Sequence, residues 1–82
     1  GFVTKRTSIS RARQAALARD SRDRIMIIKR HGNKFAGRIL TNDSSAKEEV
    51  DALIVDTGEA RFGTVRLSLS NGSYWADAIN RV

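Results

Sequence analysis

Phosphate recognition is the chemistry for which this chain is best equipped. Arg11, Arg13, Arg19, Arg22, Lys29, Arg30, Lys34 and Arg38 crowd one stretch of it, and most are arginines, whose forked guanidinium groups engage phosphate oxygens two at a time. Lys29, Arg30, His31 and Lys34 surround a His31-Gly32 step that reads as a hairpin tip, and a basic tip can enter a groove or lie along a phosphate backbone. Arg11, Arg13, Arg19 and Arg22 point to several sides of their segment, as in an arm that condenses onto a polyanion. These eight residues are expected to contact DNA or RNA with low sequence specificity. For about six neutralised phosphates, log affinity would fall against log salt with a slope near −5.

Two aromatic residues join the candidate surface. Tyr74 and Trp75 are neighbours in a segment that reads as a strand, so they face opposite ways. Trp75 then shares a side with Arg66, Ser68, Asp77 and Ile79 and is the expected exposed aromatic. Phe35 is the second candidate for base stacking or for an interface.

Covalent chemistry has little to work with. The single histidine, His31, beside a turn glycine, reads as a turn residue. Glu48, Glu49, Asp51 and Asp56 cluster, but on a segment whose helical reading spreads them over a solvated face. No phosphate-binding glycine loop, dinucleotide fingerprint or metal-ligand spacing is present in the sequence. The expectation is a non-enzymatic protein with no catalytic residue, cofactor or metal.

The charge is also polarised. Residues 1–40 hold eleven of the fifteen Lys and Arg against two acids, a formal +9, whereas residues 41–82 hold four bases against seven acids, a formal −3. Such a split implies a positive surface facing a polyanion. At 82 residues the chain reads as one compact domain, burying only about 60–65% of the surface it exposes when unfolded. It has no cysteine, its longest apolar run is Ile25-Met26-Ile27-Ile28, and no leader is legible. Those features exclude a disulfide frame and a helical membrane span and lead to the expectation of a cytoplasmic or intracellular protein. A start at Gly1 reads as a processed or excised product.

The elements that must position these residues read as α+β, in the order helix, hairpin, helix, hairpin (αββαββ). Residues 7–20 are rich in Ala, Arg, Gln and Leu and predict a helix within a basic N-terminal arm, 1–22. A ββαββ domain, 23–82, follows. RIMIIKR and KFAGRIL predict the first hairpin. Ser45 with Glu48, and Ala46, Val50, Leu53 and Ile54 at helical spacing, predict a second helix ending at Gly58. TVRLSLS and SYWADAI around Asn71-Gly72 predict a second hairpin in which Arg66 pairs with Asp77. The result would be a mostly antiparallel four-stranded sheet with helices on one face. At an offset of forty residues the two hairpins share G-x-x-aromatic-A-x-x-I, which reads either as an internal duplication or as two unrelated tight turns.

A second functional class remains open. If apolar residues such as Trp75, Ile79, Met26 and Ile28 face outward, the chain is instead an interaction module. It would then be a homo-oligomer, a subunit of a larger assembly or virion, or a small inhibitor of an acidic protein surface.

Overall fold

A computed structural model describes residues 3–82. Seven strands and one helix follow in order: β1 (Thr4–Ile9), β2 (Ala15–Asp20), β3 (Ile25–His31), β4 (Lys34–Ile39), β5 (Ser45–Glu49), β6 (Ala52–Asp56), β7 (Thr64–Leu67) and α1 (Gly72–Asn80). They form two antiparallel meanders, β1-β2-β3-β4 and β5-β6-β7. No described helix is long and apolar enough to cross a membrane.

The αββαββ order therefore gives way to a mostly β architecture, and each departure has a physical cause. Residues expected as the first helix form β1 and β2. Helix propensity favours Ala and Arg by only tenths of a kcal/mol per residue, whereas pairing with β3 seats Leu17 opposite Ile27 with both side chains fully buried. The segment 1–22 thus supplies half the strands of the larger sheet, apart from residues 1–2, which lie outside the described structure.

The expected second helix is the hairpin β5–β6. Its two-residue loop, Val50-Asp51, places Asp51 at φ 59°, a left-handed conformation that Asp tolerates better than most residues. Leu53 and Val55 then point inward together at strand spacing. The expected first hairpin does form, as β3 and β4 around Gly32-Asn33, with Gly32 at φ 65°.

Of the expected second hairpin only its first strand survives, as β7. The return segment is α1, because Trp75 and Ile79 lie four residues apart and a helix buries both on one stripe. Asn71 sits at φ −111°, outside the left-handed region that a tight hairpin turn requires. The motif shared at an offset of forty thus lies on strands in one copy and on a helix in the other, which removes the case for duplication. Arg66 pairs with Glu49 across β7 and β5, and Asp77 lies on the helix instead of opposite it.

One hydrophobic cluster joins the layers. Leu17, Ile25 and Ile27 from the larger sheet meet Leu53, Val55, Val65 and Leu67 from the smaller one, with Trp75 and Ile79 packed among them. Ser8 Oγ ties β1 to this core by accepting hydrogen bonds from Trp75 Nε1 and Asn71 Nδ2, both at 2.9 Å. Asn80 covers the outer edge of β5: its amide accepts from the Ala46 N–H and donates to the Ala46 C=O, each at 2.9 Å. An edge that would otherwise offer a template for strand addition is thereby partly closed.

Candidate nucleic-acid interface

In a meander, alternate turns lie at the same end of the sheet. The β1–β2 loop and the β3–β4 turn are therefore neighbours, and the Arg30 N–H joins them by donating to the Gln14 C=O at 2.8 Å. Arg11, Arg13, Arg30 and Lys34 meet at this end, together with exposed His31. None of the four cations forms an ion pair among the described residues. Neither stretch that supplies them, 3–19 or 24–42, contains an acidic residue.

The loop carrying Arg11 and Arg13 is anchored by its backbone. The Arg11 N–H donates to the Ser68 C=O at 3.0 Å, and the Ser68 N–H donates to Ser10 Oγ at 3.0 Å. Arg13 adopts φ 57°, a conformation that costs a bulky side chain about 1 kcal/mol relative to glycine. Backbone cost of this kind concentrates at functional sites.

Beside these cations lies the outer face of the larger sheet, which no described element covers. The register aligns Ile9, Ala16, Ile28 and Gly37 in one row and Thr7, Ala18, Met26 and Ile39 in the next, with Arg30 opposite Phe35 beyond them. Phe35 is 63% exposed, Ile9 61% and Ile39 41%. A depression of about 620 Å³ opens between the β1–β2 loop and Phe35, with Ile9, Ala16, Ile28, Arg11 and Arg13 among its lining residues. Its floor is apolar, and its rim is cationic.

The other expected contact residues are placed differently. Arg19 donates from Nη1 to Tyr74 Oη at 2.8 Å and pairs with Asp23 at 3.3 Å, while Arg6 lies 4.3 Å from the centre of the Tyr74 ring. The hydrogen bond to Tyr74 raises the Arg19 pKa against the burial that lowers it, and Arg19 Nε is buried with no partner among the described residues. Lys29 Nζ donates to the Phe62 C=O at 2.5 Å and sits 4.6 Å from the Phe62 ring centre. Arg38 flanks the same ring at 4.9 Å and pairs with Glu59 at 3.2 Å. These cations fasten the sheet to α1 and to the loop after β6.

Arg22 lies in the β2–β3 turn, at the opposite end of the sheet. That turn is organised by buried Asp20, whose carboxylate accepts from the backbone N–H groups of Arg22 and Arg24 at 3.0 and 2.8 Å and from Arg24 Nε at 2.6 Å. Burial pushes the Asp20 carboxyl up, but the hydrogen bonds from Arg24 and Arg22 outweigh it and hold the group below its ordinary 3.8.

Trp75, expected as an exposed stacking aromatic, is fully buried. Its reassignment follows from the helix: on α1 it turns inward, edge-to-face with Tyr74 at 5.2 Å. Phe35, the second candidate, is the exposed aromatic instead. Ile9 and Gly37 belong to the same surface and were not among the expected site residues, whereas Ile28 was expected to face outward only for an interaction module; the β-branched Thr4, Thr7 and Ile9 already signal a strand before the loop. Among the described residues no three His, Asp or Glu side chains come together as a metal site. No protein-family model matches the chain, and neither a curated protein nor a solved structure shows detectable similarity to it.

Proposed function

We propose that this protein binds nucleic acid without catalysis, through phosphate contacts at the end of the larger sheet formed by the β1–β2 loop and the β3–β4 turn. One observation carries this reading: Arg11, Arg13, Arg30 and Lys34 gather there with no carboxylate paired to any of them among the described residues. Like charges held together repel one another, and an array of phosphates is the ligand that offsets them.

Because Arg19, Lys29 and Arg38 have intramolecular partners, the number of phosphates engaged is closer to four than to six. The salt slope is then about −3 to −4. Fluorescence anisotropy of a labelled oligonucleotide across a salt series measures it. Arg30→Ala with Lys34→Ala should weaken binding and flatten the slope by about 1.5 while leaving the melting temperature nearly unchanged. An unaltered slope would place the contacts elsewhere.

The second reading, an interaction module, is favoured by the same uncovered face with Phe35, Ile9 and Ile39. Its partner would be a second copy, a larger assembly or an acidic protein surface that matches the cationic rim. A defined multimer by light scattering together with indifference to polyanions would select it.

A further inference from the structure

We infer that the outer face of the larger sheet is a platform for unpaired bases, so that the site prefers single-stranded to double-stranded nucleic acid. This inference rests on the nucleic-acid reading above and adds the substrate class. A duplex presents phosphates on its outside and keeps its base faces stacked within. Four cations alone would suit either form.

The apolar floor between the cations suits only one of them. Phe35 stands 63% exposed on the row next to the depression, and an exposed aromatic beside arginines is the arrangement on which successive unpaired bases stack irrespective of sequence. The depression, about 620 Å³ and lined by Ile9, Ala16, Ile28 and Phe35, falls within the size range of sites that take planar organic groups, ~300–1,000 Å³. Arg11 and Arg13 at its rim lie where the phosphates flanking a seated base would pass.

Gly37 extends the same outer face, in the row of Ile9, Ala16 and Ile28. A Cβ built there would lie 3.4 Å from Met26 Sδ and 3.7 Å from Ile28 Cγ1, ordinary contact distances, and the position is not left-handed. The first atom of a side chain is therefore accommodated there. A larger side chain would stand up between Phe35 and Ile39 and obstruct a flat ligand.

The test compares three probes: a single-stranded oligothymidylate 12-mer, a 12-mer of the same backbone charge with abasic sites in place of its central bases, and a 12-bp duplex, whose two strands carry twice that charge. Affinities are measured by anisotropy at fixed salt, with thermal melts and light scattering as controls. The oligothymidylate should bind at least ~10-fold more tightly than the duplex or the abasic strand, since each stacked base contributes ~5- to 160-fold. Phe35→Ala and Gly37→Leu should each remove most of that preference while changing duplex affinity less than about twofold, because neither alters a cation. Equal affinity for all three probes, or a preference that survives both substitutions, would overturn the platform and leave phosphate binding standing. Failure to bind any probe would overturn the nucleic-acid reading itself. A stable dimer disrupted by Phe35→Ala would show that a second copy covers the face, and this too overturns the platform.

Discussion

Two groups of cations on one sheet behave differently. Arg6, Arg19, Lys29 and Arg38 lie over Tyr74 and Phe62 and have partners in the second layer, whereas Arg11, Arg13, Arg30 and Lys34 lie at one end of the sheet, Arg11 and Arg13 lining the depression on its uncovered face, and lack an ion-pair partner among the described residues. The first group holds the layers together; the second is available to a ligand. Net charge makes no such distinction. What separates the groups is whether the fold brings a ring or a carboxylate of the second layer within reach.

The largest expected effect comes from removing the loop-end group as a whole. Arg11→Ala, Arg13→Ala, Arg30→Ala and Lys34→Ala combined should flatten the salt slope of oligonucleotide binding by about 3. The four together should change stability by less than about 2 kcal/mol, because exposed substitutions usually stay within about 0.5 kcal/mol each. A large loss of stability, measured by thermal unfolding, would mean that the two groups are not distinct.

Arg6→Ala with Arg19→Ala should give the reverse pattern. Losing the contacts over Tyr74 and the hydrogen bond to its hydroxyl should lower stability by about 1–3 kcal/mol in urea denaturation, with oligonucleotide affinity retained by the folded fraction. Unchanged stability would return Arg19 to the ligand contacts and add Arg6 to them.

Acid sharpens the contrast at the far end of the sheet. The Asp20 pKa is depressed in the folded state, so its contribution to stability is complete above the ordinary carboxylate pKa and is lost as pH falls through the lowered one. Calorimetry between about pH 5 and pH 2 should show a steeper decline for the parent than for Asp20→Asn. Parallel curves would show that the carboxylate does not act as described. The smallest effect is at the loop: Arg13→Gly should stabilise by about 0.5 kcal/mol, relieving the left-handed backbone, while reducing the salt slope by about 0.7–0.9.

How much of this was legible depended on how local the signals were. The β3–β4 hairpin could be read because Ile25, Ile27, Phe35 and Ile39 combine with a turn glycine inside fifteen residues. The first two strands could not, because Ala15, Ala16 and Ala18 carry a helical preference that is overridden only when Leu17 finds Ile27 across the sheet. Asn71-Gly72 signalled a turn, but the burial of Trp75 and Ile79 decided for a helix. Among the cations, the hairpin tip was readable from Arg30 and Lys34 alone. The commitment of Arg19 to Tyr74, and of Lys29 to Phe62, was not, since the partners stand 55 and 33 residues away.

An NMR titration of the labelled protein with a short single-stranded oligonucleotide tests the division between the two cation groups most directly. Amide shifts should concentrate at residues 9–14, 28–31 and 34–37, with little change around Arg6, Arg19, Asp23 and Tyr74. Shifts centred on Tyr74 and the β2–β3 turn, with the β1–β2 loop silent, would contradict the account.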